Sequence, residues 1–487
     1  MGLPCKWMCA LLVLAAIERI AGAQVHGIKD ANGVTQHLQS IGDALDSANR
    51  HPVHILYLHG IDQIGAGDSA LFRQSICLRL KLCRVSDWKN AGTEYPDKGE
   101  FDPGALPPAL GYLGSPVWKS VEEWHAAAPF VVHWVVHLRG HASILVVDEI
   151  NWWPLVMAIK CRNVMTPEAY LAGPDPQLLD VCSLPAKQDP DKLGRFYAWI
   201  EPDEAARLKK LRPHSVLINR NLKSSLVDWG MSDVLMAVGP MGSLLRDGVR
   251  QLMARSAAFA PLETGSTLTP TGKPGTYDWR AQLNRDNTVD QAFIGVTHSL
   301  GSYLLFNTLS VPNVDTANLS AQESARVANE ASAVRYIFER TAQMYFFANQ
   351  LELLETTNLE NAPQPAANAV SSHALPPAAP AQITRAANFE SLVNKWKQMQ
   401  GDFQTACHPN DATARENIQV VAWNDPSDVI TFRVPRIGNV DVVNLNVRNA
   451  TRWLGLFESP GAAHGNYAKN SRVLRVMFEV TDRRSSP

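Results

Sequence analysis

Apolar positions along the chain fall into two alternating patterns. Short, nearly unbroken runs rich in Val, Ile, Leu and aromatic residues recur at 53–58, 130–138, 143–150, 291–297, 343–348, 418–423 and 440–447. Runs of this length and composition predict strands buried on both faces. Between them lie stretches with apolar residues at helical spacing, at 70–82, 191–211, 216–259 and 302–309. Residues before about 50 read as polar and loosely helical. Strands alternating with helices predict an α/β fold, a mostly parallel central sheet with helices on both faces. The interval 151–287 breaks the alternation with helical patterns only, and reads as a large helical cap insertion. Its Trp152, Trp153, Trp229, Met231, Met236 and Met241 suit either a lid over an apolar substrate or a cap with a core of its own. Residues 361–385 are rich in Ala and Pro, as a flexible linker or loop would be.

Composition narrows the class. The chain has 487 residues, 46% hydrophobic and 19% charged, with a formal net charge of −2. That is globular material, and charges of both signs are interspersed. No basic stripe is built, so nucleic acid is not an expected partner. At the N-terminus, Lys6 precedes an apolar run at 7–17 and a small-residue site, Ala21-Gly22-Ala23. Residues 1–23 therefore read as a signal peptide, although Glu18 and Arg19 depart from the usual pattern. The mature chain would be 24–487, exported to a periplasm or secreted. The run is shorter than the roughly 20 residues needed to span a bilayer.

Cysteine usage fits that compartment. Cys5 and Cys9 fall within 1–23, leaving Cys77, Cys83, Cys161, Cys182 and Cys407. Five allow two disulfides and one free thiol. One continuous helix would put the Cα atoms of Cys77 and Cys83 about 9 Å apart, beyond the roughly 7 Å limit for a bridge. They can pair only if the helix ends between them. His51, His54, His133 and His137 lie in or beside strand-like runs, without a carboxylate partner or an H-E-x-x-H pattern. They read as structural or surface histidines. No metal or organic cofactor is implied.

The sharpest chemical signal is Thr297-His298-Ser299-Leu300-Gly301-Ser302. An apolar strand stops at a serine and a helical pattern begins at once. Such a turn strains the serine backbone, exposes Oγ and aims the helix N–H groups at an oxygen that becomes negative. A serine capping an ordinary strand–helix junction would look the same in sequence. The segment resembles the G-x-S-x-G elbow of the α/β-hydrolases, often G-H-S-L-G in lipases and esterases. Thr297 stands where that pattern has its first glycine, and its branched Cβ is expected to crowd the turn.

The resemblance implies the rest of a site. Ser299 would be the nucleophile, while the side chain of His298 diverges from it. His59-Gly60, at the end of the first strand, resembles the family's H-G segment. Backbone N–H groups of Ile61 and Leu300 would then hold the oxyanion. The family order of nucleophile, acid and histidine points to His464, in the loop 459–467, as the base. For the acid, Asp428 precedes an apolar pair, Asp425 precedes a proline and suits a turn, and Glu352 lies one strand earlier. All three stay open, Asp428 being favoured. The implied activity is that of a lipase-like carboxylic ester hydrolase, acting on a small-molecule or lipid ester through an acyl-enzyme on Ser299. An apolar cap would allow peripheral membrane contact. Acyltransferase or thioesterase chemistry would use the same residues, and the same fold also carries non-catalytic binding and scaffold proteins.

Overall fold

The computed structural model describes residues 26–60, 69–83, 93–97, 129–160, 230–261, 267–268, 291–310, 321–351, 419–434, 441–449 and 460–479, apart from a few positions within these ranges, and isolated residues between them. The expected signal peptide at 1–23, the Ala/Pro-rich stretch at 361–385 and the residues Cys161, Trp229 and Cys407 lie outside the described residues, as does nearly all of the helical pattern at 191–211.

A hairpin of β1 (His26–Lys29) and β2 (Thr35–Leu38) opens the described chain, where loose helix was expected. Four-residue strands are too short to show a period of two. Helix α1 (Ile41–Ser47) follows. A capping box starts it: Asp43 N donates to Ser40 Oγ, and Ser40 N donates to the Asp43 carboxylate. Next come β3 (Val53–Leu58), α2 (Ala70–Gln74), a π-helical turn at Ser75–Arg79, β4 (Thr93–Asp97), β5 (Phe130–His137), β6 (Ile144–Asn151) and α3 (Trp153–Ile159). Helices α4 (Ser232–Val238) and α5 (Gly242–Ala258) precede a small hairpin, β7 (Ala260–Pro261) and β8 (Thr267–Leu268). The chain continues through β9 (Ala292–His298), α6 (Leu300–Ser310), α7 (Ala321–Glu339), β10 (Thr341–Phe347), β11 (Gln419–Asn424), β12 (Asp441–Asn446), α8 (Pro460–Gly465) and α9 (Ser471–Glu479).

Eight strands form one sheet in the order β12-β11-β10-β9-β3-β6-β5-β4. Neighbours from β12 to β6 pair in parallel, and β5 runs antiparallel to both its neighbours. The molecule is thus an α/β protein with a mostly parallel sheet. Strand β4 escaped the sequence reading because Thr93-Glu94-Tyr95-Pro96-Asp97 is polar and contains proline. Its place at the sheet edge tolerates both.

Alternation along each strand divides the core. Leu56 and Leu58 of β3 face a layer built by α3, α5, α6 and α7. Val53, Ile55 and Tyr57 face the other layer, built by α1, α2 and α9. The pattern at 216–259 reads as helical throughout, but α4 ends at Gly239, whose backbone is extended, and α5 starts anew at Gly242. Most of α5 is buried against the sheet and against α6 and α7. This part of 151–287 covers a sheet face. Helical periodicity identifies a helix, not the surface it packs on. Of the apolar residues noted there, Trp152, Trp153 and Met241 are buried, while Met231 is 41% exposed.

Cys77 and Cys83 form a disulfide with Cα atoms 4.7 Å apart. The π-helical turn ends at Arg79, and Cys83 makes a bridge pair with Leu138 at the end of β5, so the two cysteines do not share one helix. Cys182 is also disulfide-bonded. Two histidines that look unpartnered in the sequence are not so in the fold. His54 on β3 and His133 on β5 do have a carboxylate partner, Asp148 on β6 between them. Their Nδ1 atoms lie 2.7 and 2.6 Å from its two oxygens. The cluster is assembled across strands, so no local pattern could reveal it. Burial alone would raise the Asp148 pKa, but the two imidazoles hold it below the usual carboxylate range. Among the described residues no group of three or more His, Cys, Asp or Glu could hold a metal ion.

Candidate active site

The sheet's connections reverse direction between β9 and β3. From β3 the chain crosses to the far edge at β4 and works back inward through β5 to β6, whereas from β9 it builds the other way through β10, β11 and β12. Crevices at the carboxyl ends of strands beside such a reversal are where open α/β sheets hold ligands. The register places Leu58, Thr297 and Phe346 side by side there. The segments that follow them, 59–60, 299–301 and 348–350, therefore meet at one edge.

Ser299 sits in the turn between β9 and α6 with φ 53, in the left-handed region that a serine rarely adopts. Such backbone costs of order 1–3 kcal/mol. It is held by hydrogen bonds on both sides. Ser299 N donates to Phe347 O at 2.8 Å, and its carbonyl accepts from Ser302 N at 3.2 Å and Ser302 Oγ at 2.7 Å. Two glycines make room. A Cβ on Gly301 would lie 2.5 Å from Leu58 O and 2.6 Å from His59 O, both backbone atoms that cannot move aside. A Cβ on Gly60 would lie 2.6 Å from Ser299 Cβ. Thr297, by contrast, does not crowd the turn. It is the penultimate residue of β9, fully buried, in extended backbone that suits a branched Cβ. Its Oγ1 has no hydrogen-bond partner among the described residues.

The base and acid candidates come from the far side of the sheet. The loop after β11 carries Asp425 and Asp428, and α8 carries His464. His464 Nδ1 lies 2.9 Å from Asp428 Oδ2. Tyr467 OH donates to the same oxygen at 3.3 Å, and Asp428 Oδ1 accepts from Ile430 N at 3.2 Å. Asp425 is engaged differently: its oxygens accept from Ser427 N and Asn449 N, and its own N–H donates to Tyr467 OH. It shapes the loop and does not touch His464. Burial and then the Asp428 charge push the Tyr467 hydroxyl pKa well above its ordinary value, so it stays a neutral donor.

His464 is held by its backbone as well. His298 Nε2 donates to His464 O at 2.8 Å, and the two rings lie 4.8 Å apart. Burial and the neighbouring His464 lower the His298 pKa to about 3, so it is a neutral imidazole. Asn449 Nδ2 donates to Ala463 O at 2.9 Å, and Asn449 Oδ1 accepts from Asn470 Nδ2 at 2.9 Å. The elbow pattern includes His298 but does not show this role for it, and no pattern in the sequence marks Asn449. Their contacts are to backbone carbonyls 166 and 14 positions away.

One link is not closed. His464 Nε2 is buried and has no hydrogen-bond partner among the described residues. Ser299 Oγ instead accepts from Gln350 Nε2 at 2.8 Å, a residue that sequence reasoning missed. The oxyanion candidates divide likewise: Leu300 is buried at the first position of α6, whereas Ile61 lies outside the described residues. Glu352 also lies outside them. His59 stacks on Trp152 with ring centres 4.9 Å apart, and its Nδ1 donates to Gly60 O at 2.9 Å. Burial lowers its pKa to about 4.

No family model, curated protein or solved structure matches the chain.

Proposed function

We propose that the protein is a serine hydrolase of the α/β-hydrolase type acting on carboxylic esters. The observation that carries this reading is Ser299 in left-handed backbone at a strand–helix turn, with the paired Asp428 and His464 borne by the loop after β11 and by α8. In the proposed reaction Ser299 Oγ attacks the ester carbonyl and its proton passes to His464 Nε2. Asp428, on Nδ1, keeps the other nitrogen free to accept and stabilises the imidazolium. The carbonyl–oxygen bond breaks, and His464 returns the proton to the departing alcohol. Water then enters by the same route in reverse, releasing the acid and restoring the serine. The unpartnered Nε2 of His464 supports a resting site, because catalytic hydrogen bonds often tighten only when substrate is bound.

A fluorophosphonate probe tests the reading. The mature protein is expected to be labelled at Ser299, as located by peptide mass spectrometry. Ser299→Ala should abolish labelling and His464→Ala should slow it at least 100-fold, with both variants folded by circular dichroism. Undiminished labelling of Ser299→Ala would falsify the assignment. A wild type inert to the probe and to short-chain esters would point to the non-catalytic reading that the open Ser299–His464 link also allows.

A further inference from the structure

Among the described residues, Gln350 is the polar group that touches Ser299 Oγ and that the proposed reaction leaves unused. It follows β10 after Ala348, which has φ 50, a second non-glycine residue in left-handed backbone. It is only 2% exposed. Its Nε2 donates to Ser299 Oγ, while its Oε1 is buried without a hydrogen-bond partner among the described residues. Nitrogen and oxygen of one amide share a carbon, so this orphan acceptor stands beside the serine oxygen. A buried amide oxygen that has lost water and gained nothing is costly, and native structures leave few of them. One at the reacting atom is explained if its partner arrives with the substrate.

We infer that Gln350 determines specificity: its Oε1 accepts a hydrogen bond from an O–H or N–H that the substrate carries next to the scissile carbonyl. The inference rests on Ser299 being the nucleophile. The substrate class is then esters of 2-hydroxy or 2-acylamino acids. Sites built around such a bond reject analogues lacking the donor far more strongly than apolar pockets reject a missing methylene.

Three 4-nitrophenyl esters of nearly equal size separate donor, acceptor and apolar groups: the 2-hydroxypropanoate, the 2-methoxypropanoate and the 2-methylpropanoate. Each kcat/KM is divided by the ester's own rate with hydroxide, which removes intrinsic reactivity. The wild type is expected to favour the hydroxy ester at least tenfold over both others, and Gln350→Met to bring the three within about threefold. A wild type that takes the fluorophosphonate at Ser299 but shows no preference for the hydroxy ester overturns this inference alone. The same holds if it prefers the methoxy ester, which would mean that the amide presents its nitrogen. A preference that survives Gln350→Met overturns it too. A wild type that neither labels nor turns over any ester removes the hydrolase reading, and this inference with it.

Discussion

Asp425 and Asp428 stand three residues apart on one loop, and their hydrogen bonds separate them. Asp428 meets the imidazole, whereas Asp425 anchors the backbone of Ser427 and Asn449. Asp428→Asn is expected to lower kcat for ester hydrolysis by about 10²–10⁴-fold with little change in melting temperature, since the histidine loses its orienting carboxylate. Asp425→Asn should do the opposite, costing about 1–2 kcal/mol of stability through a weaker acceptor for two backbone amides, with a smaller loss of kcat. Steady-state kinetics and thermal melts of the two variants check the ranking. A large kcat loss at unchanged stability in Asp425→Asn would transfer the role. At this scale the sequence offered what is local. Ser299 was legible because its strand, turn and helix are contiguous, and Asp428 and His464 by their order along the chain. Gln350 was not: it lies 51 positions from Ser299 and belongs to no pattern. The crowding expected at Thr297 was misjudged because the motif does not say where strand ends and turn begins.

The turn between β9 and α6 works as a unit with the end of β3. Gly301 lets α6 start against the carbonyls of Leu58 and His59. Gly301→Ala would push those strands apart, and overpacking of this kind costs about 1–3 kcal/mol. Because the same displacement moves Ser299, labelling by the fluorophosphonate should fall more than stability does. Chemical denaturation and labelling rates, measured together, check this. A variant as stable and as reactive as the wild type would show that the contact is soft. The elements themselves were largely readable. The seven apolar runs became β3, β5, β6 and β9 to β12, because a strand buried on both faces needs an unbroken apolar run. Short polar elements, β1, β2 and β4, left no such trace. The partner of α5 was equally hidden, since buried helices carry apolar residues whether they cap a pocket or cover a sheet.

At the scale of the whole molecule, two histidines contribute to the response to acid. His59 is fully buried and His298 half-buried, with pKa values lowered to about 4 and about 3 from an ordinary 6.5. In the unfolded chain both take up protons near pH 6.5, while in the native state they resist until well below pH 5. Their contribution to stability is therefore complete above about pH 6.5 and is lost as the pH falls toward their folded values. Each such group removes about 1.4 kcal/mol per pH unit within that window. Denaturation midpoints between pH 7.5 and 4.5 should fall steadily below pH 6.5, and His59→Asn should flatten the slope. A flat profile in the wild type would contradict the neutral burial of both rings. Sequence reading reached the α/β class and the parallel sheet, which follow from alternation alone, but not the strand order. That order has a consequence in time. Strand β3 pairs on one side with β6, soon after it in the chain, and on the other with β9, about 240 positions later. At roughly 5–20 residues per second of synthesis, β3 waits on the order of ten to fifty seconds for that second partner. A half-sheet of β3 to β6 can form on the ribosome meanwhile, with one edge of β3 bare. The strand that carries Ser299 is the one that closes it.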